Sequence, residues 1–299
     1  MNPRRIVLSM ILVTMYLSSH SQEVIPLYTG QIPNSKRTPA DYTEQKDDRG
    51  FILNVSVPTL TAFFPEKSNG TCIIIAPSGG YQVWVDEGTE IARAFNTLGG
   101  TAFVLKYRLP SEATMIDKSI GPLQDAQTAI MIVRKRAAEW KIDPHKVGFL
   151  GMSAGGHLAS TAGTHFLTPV IENKEKVNLR PDFMILLYPV ISFDPKMVSK
   201  AGTAKNLVGE TPTEKQVNYF SNEKHVTPET PPVWLLHAAD DAHVSARHSL
   251  MFYDALFKAG VKSELHILPT GGHGFSLEHP TRKDSWMDWC AGWLHENGM

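Results

Sequence analysis

The 299-residue sequence predicts an α/β fold with a mainly parallel central sheet and helices on both faces. Two observations carry this expectation. From residue 71 onward, apolar runs of strand length alternate with longer segments whose apolar residues recur at helical spacing, and no internal repeat interrupts the alternation. The strand-length runs, such as residues 72–76 (CIIIA) and 233–238 (VWLLHA), are continuously apolar, as suits strands covered on both faces.

Taken in order, residues 22–50 are polar and carry Pro26, Pro33 and Pro39, which reads as an extended arm laid on the domain with no periodic core face. Residues 51–65 (FILNVSVPTLTAFFP) alternate well enough for an opening antiparallel strand or hairpin, with Pro58 marking an edge or turn. Asn69-Gly70 then turns the chain into the buried strand at 72–76. Residues 87–98 place Ile91, Ala92, Phe95 and Leu98 at helical spacing before a Gly99-Gly100 stop, and 101–107 form the next strand. The strongest helical pattern covers 122–140, with Pro122 near its first position and Leu123, Ala126, Ile130 and Val133 on one stripe. Asp125 reads there as a helix-surface residue.

After a strand at 182–188, the polar and proline-rich residues 190–232 exceed the length of an ordinary loop and are expected to form a partly helical, lid-like insertion. A strand at 233–238, a helix at 245–259, a strand at 262–268 and a helix at 282–295 complete a single domain over residues 51–299.

Lys and Arg number 29 against 30 Asp and Glu, for a net charge of −1, so no basic field favours nucleic acid or an anionic membrane surface. A neutral or weakly charged small substrate suits this balance better. Residues 1–21 read as a secretory signal: Arg4 and Arg5 lead an apolar run at 6–17, and Ser19-His20-Ser21 offers a small-x-small cleavage site before Gln22. The apolar run falls short of the ~20 residues needed to span a bilayer. The expected product is therefore exported, periplasmic or secreted, and not held in a membrane. The 2 cysteines, Cys72 in a strand pattern and Cys290 in the last helix, read as buried free thiols, although export would permit a disulfide.

The chemistry concentrates at residues 147–158 (VGFLGMSAGGHL), a buried strand, a sharp turn and a small-residue helix start. Gly151-Met152-Ser153-Ala154-Gly155 is G-x-S-x-G, the strand-turn-helix arrangement that lifts a serine hydroxyl clear of a sheet. Ser153 is the expected nucleophile, and the backbone N–H of Ala154, at a helix N-terminus, faces the space where an oxyanion would form. A glycine turn, Pro77-Ser78-Gly79-Gly80-Tyr81, closes the strand at 72–76, so Gly80, with Gly79 as the alternative, is expected to supply the second oxyanion donor from its backbone.

Hydrolases built this way order their groups serine, acid, histidine, each after a strand. Asp241 follows the strand at 233–238, and His273 lies in a glycine-flanked loop after the strand at 262–268. His273 is the expected general base and Asp241 the orienting acid, with the adjacent Asp240 left to cap or orient the loop. His157, His237 and His243 read as packing or loop residues. Tyr81 and Trp84 are candidates for a sugar- or acyl-facing platform, with core positions the alternative. This chemistry requires no metal or cofactor.

These stretches resemble those of α/β-hydrolases of the carbohydrate esterase type, the exported bacterial acetyl xylan esterases and bifunctional feruloyl/acetyl esterases. The resemblance is carried by residues 77–110, 122–160 and 230–245 and by Gly271-Gly272-His273-Gly274-Phe275. Ser78 stands where glycine is usual and Ser245 where proline is usual. The resemblance implies removal of acetyl or feruloyl groups from plant polysaccharides such as xylan. A prolyl-oligopeptidase-like peptidase shares the same catalytic order, and an inactive hydrolase fold used for binding is the alternative from another class.

Overall fold

The computed structural model describes residues 22–197, 199–200 and 202–299; the segment read as a secretory signal lies outside the described residues. In chain order come β1 (Val24–Pro26), β2 (Gln45–Lys46), β3 (Ile52–Leu53), β4 (Thr59–Phe63) and β5 (Cys72–Ala76). Next are α1 (Gly88–Thr97), β6 (Thr101–Lys106), α2 (Gly121–Lys135), β7 (Val147–Met152), α3 (Ala154–Thr164) and β8 (Met184–Leu187). Two short helices follow, α4 (Thr203–Val208) and α5 (Glu214–Tyr219), and then β9 (Val233–Ala238), α6 (Arg247–Lys258), β10 (Ser263–Leu268) and α7 (Trp286–Glu296).

Eight strands make one sheet in the order β1-β4-β6-β5-β7-β8-β9-β10. β5 to β10 run parallel, whereas β4 and then β1 add antiparallel strands at one edge. The buried faces of β5, β7, β8 and β9 explain their continuous apolar runs, since every residue of these four strands is buried. Helices flank the sheet: α1 lies on β6, α3 on β7 and β8, and α6 on β9 and β10. β6 and β7 lie on opposite sides of β5, so the strand order reverses at β5 and opens a crevice above its C-terminal end.

Three expectations need correction. The arm is not merely laid on the domain: β1 pairs antiparallel with β4, Ile25 opposite Leu60, and both Ile25 and Leu27 are buried. A three-residue strand is too short for its alternation to show as a pattern. The stretch at 51–65 forms neither one strand nor a hairpin: it breaks at Pro58, where a turn was expected, into β3, paired with β2 from the arm, and β4, paired with β1 and β6. Asp125 is not a surface residue. It is fully buried and ion-paired with an equally buried Arg108 at 2.8 Å. Arg108 also donates to the Pro33 carbonyl at 2.9 Å, and the Tyr28 hydroxyl donates to Asp125 at 3.0 Å, so one buried charge pair fastens the arm to β6 and α2. Sequence spacing put Asp125 beside the apolar stripe but carried no sign of the partner 17 residues earlier.

The segment between β8 and β9 holds α4 and α5 and is fastened by neutral imidazoles. His157 on α3 donates from Nε2 to the Phe220 carbonyl at 3.0 Å, and His248 on α6 donates to the Met197 carbonyl at 3.0 Å. His248 also accepts the Ile191 and Ser192 amides, and the His165 ring packs on Tyr219. Burial pushes the His157 imidazole down to about 3 and those of His165 and His248 down to about 4. Cys72 and Cys290 are both buried and unbonded. Among the described residues, no helix is long and apolar enough to cross a membrane.

Removing one partner of a buried ion pair strands the other charge, so Asp125→Ala is expected to lower unfolding stability by about 3–5 kcal/mol in denaturant titration. Tyr28→Phe should cost about 1 kcal/mol. Equal, small losses from both would show that Arg108 finds another partner. A second expectation concerns pH. Unfolded histidines titrate near ~6.5, above the folded values of about 3 to 4, so the unfolded chain binds more protons between these limits. Stability is thus fully present above ~6.5 and is lost as pH falls toward ~4, by up to ~1.4 kcal/mol per pH unit for each ring. Glu87 and Glu223, whose carboxyls burial raises, act in the opposite sense toward the acid end. Limited proteolysis at pH 7.5 and 5 should cut residues 190–232 first in the acid sample; a first cut elsewhere would contradict the anchoring role of these histidines.

Candidate active site

Ser153 sits between β7 and α3 with φ 53 and ψ −114, a conformation that a non-glycine residue holds only under constraint. The constraint is close backbone approach. A Cβ on Gly155 would lie 2.0 Å from the Ala76 carbonyl oxygen, and one on Gly151 would lie 2.2 Å from that of Gly155. Both flanking glycines of the motif are therefore required by contact between β5, β7 and α3. Ala154 opens α3, so its N–H has no intrahelical acceptor and points out of the helix N-terminus.

The structure brings the three widely separated side chains together. The Ser153 hydroxyl lies 2.9 Å from His273 Nε2, and His273 Nδ1 lies 2.6 Å from Asp241 Oδ2. A carboxylate only accepts, so Nδ1 carries the proton and Nε2 is left to accept from the serine. Burial pushes the Asp241 carboxyl up, but hydrogen bonds from His237, His273 and the Val244 amide outweigh it and hold the group well below the usual carboxylate range. Asp241 Oδ1 also accepts the His243 amide at 2.8 Å, which fixes the carboxylate plane. The neighbouring Asp240 accepts the Gly272 amide at 2.8 Å and so orients the loop that carries His273. The Tyr188 ring meets the His273 ring edge-on at 5.0 Å.

Gly79 and Gly80 line the same pocket as Ser153 and His273, a cavity of about 520 Å³. Gly79 has φ +124, and a Cβ there would meet the Val83 carbonyl oxygen at 1.9 Å, so only glycine serves at this turn. The Gly80 carbonyl accepts the Asn206 side chain at 2.8 Å, and the Ser78 amide donates to Glu87 at 2.7 Å, holding the loop from both ends.

The Tyr81 and Trp84 rings take the core positions that the sequence left as the alternative to a platform. Tyr81 is 2% exposed, and its hydroxyl meets His157 Nδ1 at 3.0 Å; Trp84 is 7% exposed, and its indole donates to the Leu105 carbonyl at 3.1 Å. Core packing has taken both rings. The apolar wall of the pocket comes instead from Phe51, Leu53, Val83 and Val85, with Asp47 and Arg49 at its rim. Trp84 contributes through its backbone, exchanging two hydrogen bonds with Ile52 at 2.8 and 2.9 Å and so holding β3 against the site.

His237, read from the sequence as a packing or loop residue, also orients the acid. It is fully buried, Ser249 donates to its Nδ1 at 2.8 Å, and its Nε2–H lies 2.9 Å from the Val244 carbonyl and 3.3 Å from Asp241 Oδ2. Its position at the end of a strand, four residues before Asp241, was the available signal. Glu87 gave none, because a carboxylate at a helix start reads as a surface cap.

A parallel sheet reversing at β5, an elbow serine at that reversal and an acid and a histidine from the ends of the next strands define an α/β-hydrolase. More narrowly, the chain belongs to the BD-FAE family, whose family model matches residues 65–256. It is 35% identical over 236 residues to an acetylxylan esterase of Xylanibacter ruminicola, covering 76% of this chain and 46% of that protein. It is 29% identical over 276 residues to endo-1,4-beta-xylanase B of Butyrivibrio fibrisolvens, covering 91% of this chain and 43% of that protein. The chain thus spans less than half the length of these two relatives. A solved acetyl ester-xyloside bifunctional hydrolase from Caldicellulosiruptor lactoaceticus superposes with a TM-score of 0.77 at 36% identity, covering 92% of this chain and 96% of that one.

His237→Phe would remove one donor from Asp241 and leave the Ser249 hydroxyl without its acceptor. Hydrogen bonds to charged groups are worth ~1.5–3 kcal/mol, so labelling of the protein by a fluorophosphonate should slow by on the order of tenfold or more. Unchanged labelling would reduce His237 to a packing residue.

Proposed function

We propose that the protein is a serine carboxylic-ester hydrolase that removes acetyl or feruloyl groups from acylated plant polysaccharide such as xylan. The observation that carries this reading is the hydrogen-bonded chain from Asp241 through His273 to Ser153, opening on a pocket with apolar walls. The similarity to an acetylxylan esterase and to an acetyl ester-xyloside hydrolase supports the same substrate class.

In this reading Ser153 Oγ bonds to the ester carbonyl carbon while His273 Nε2 takes its proton. The carbonyl oxygen becomes an oxyanion beside the backbone N–H groups of Ala154 and Gly80, with Gly79 adjoining. Asp241 stabilises the imidazolium without taking its proton. The C–O bond to the sugar breaks, His273 returns the proton to the leaving alcohol, and water then repeats the sequence to release the carboxylic acid and free serine. Residues 190–232 act as a lid-like insertion beside the site, since Asn206 holds the oxyanion loop from that side. Acylated polymers lie outside the cell, which agrees with export by residues 1–21.

The test is release of acetate and ferulate from defined acylated xylo-oligosaccharides, alongside p-nitrophenyl acetate and prolyl nitroanilides. Ester turnover should exceed amide turnover. Ser153→Ala should lose activity by ~10⁴-fold or more and lose fluorophosphonate labelling altogether. Amide turnover in excess would favour a peptidase, and an unlabelled wild-type protein would favour a binding role.

A further inference from the structure

A second cavity of about 420 Å³ lies beside the reactive pocket, within the ~300–1,000 Å³ typical of small-molecule sites. The oxyanion loop is the partition between the two: Gly80 lines the reactive pocket, Tyr81 lines the side cleft, and Gln82 lines both. Asn206 also lines the cleft and donates to Gly80 at 2.8 Å. A ligand in the cleft therefore lies against the loop that faces Ser153.

We propose that this cleft is a saccharide subsite, holding the neutral pyranose chain whose ester is presented to Ser153. This rests on the ester-hydrolase reading for the acyl group, but the sugar's binding is argued from the cleft's own chemistry. Its four charged side chains are mutually paired, Lys205 with Glu210 at 2.6 Å and Lys118 with Glu112 at 3.4 Å. No unpaired charge remains to demand an ion, so a neutral ligand fits. Pro110 and the Tyr42 ring, both partly exposed, offer an apolar surface for the C–H face of a pyranose. The Gln82 backbone N–H is taken by the Gly79 carbonyl, but among the described residues the Tyr42 hydroxyl and the Gln82 side-chain carboxamide make no hydrogen bond to protein, which leaves donors and acceptors for sugar hydroxyls. Besides the oxyanion loop, the walls come from the arm, from Asn54, from the loop after β6 and from α4 with the residues that follow it, all outside the parallel sheet.

The test separates sugar binding from ester chemistry by using an unacylated probe. Xylotriose titrated into the wild-type protein, followed by calorimetry or by chemical shifts, should bind with a Kd below roughly 10 mM. Tyr42→Ala and, independently, the exposed Lys205→Ala should each weaken it by about threefold to tenfold. In turnover, the ratio of kcat/KM on acetylated xylo-oligosaccharide to that on p-nitrophenyl acetate should fall by a similar factor, through KM. Thermal unfolding midpoints of both variants verify that they fold. No xylotriose binding by folded wild-type protein overturns the proposal, as does an unchanged ratio in both variants. Xylotriose binding without any ester turnover would sustain the subsite and overturn the hydrolase reading instead.

Discussion

The arrangement depends on one backbone constraint, the forced approach of β5, β7 and α3 at Ser153. A residue with φ 53 and ψ −114 costs of order 1–3 kcal/mol and persists only where its surroundings over-determine it. Here the Ser153 amide donates to the Leu187 carbonyl at 3.0 Å, and its own carbonyl accepts the amides of Val190 and His157 at 3.0 and 3.1 Å. Every polar backbone group of the strained residue is thus spoken for by β8 or α3. Because β5 lies against β7 with Ala76 opposite Gly151, the same approach puts the Gly79-Gly80 loop beside the serine. The elbow serine and the glycine loop are placed by a single packing event rather than by separate loops.

A second layer of order comes from histidines that burial keeps uncharged. A neutral imidazole has one N–H, so a carbonyl on one nitrogen dictates the role of the other. The Phe220 carbonyl claims Nε2–H of His157, which leaves Nδ1 to accept the Tyr81 hydroxyl. Tyr81 has φ 60 and directly follows Gly80, so this bond ties the Gly79-Gly80 loop, α3 and the insertion together. At His237 the Val244 carbonyl and Asp241 Oδ2 lie 2.9 and 3.3 Å from Nε2, and the Ser249 hydroxyl lies 2.8 Å from Nδ1. The acid that orients His273 is itself oriented by a second imidazole.

What was legible in the sequence follows the range of the interaction. The elbow is set by five consecutive residues, and each parallel strand by its own apolar run, so both could be read before any partner was known. Ser153, Asp241 and His273 were readable as candidates because each follows such a strand. Tyr81 and Trp84 could be read either as platform or as core, since an aromatic next to a glycine loop looks the same in sequence whether it faces solvent or core. Asp125 was misread because Arg108, which neutralises it, belongs to a different element. The pocket wall from Phe51 and Leu53 was not foreseen, because a two-residue strand pairing has no periodicity to detect.

The groups placed for chemistry and the surfaces placed for recognition thus come from different parts of the chain. Ser153, Asp241, His273 and the glycine loop follow the ends of buried parallel strands, where packing on both faces allows little displacement. The surfaces around them come from the arm hairpin and the segment between β8 and β9, which are joined to that core by a handful of specific bonds. Lengthening or reshaping either outer segment alters which molecule is held while leaving the proton path untouched. The reverse does not hold: a change at Gly155 or Ala76 would move the serine itself. The fold can therefore keep one reaction while its substrate range is set at the periphery, provided the Arg108–Asp125 pair and the buried imidazoles keep those outer segments in place.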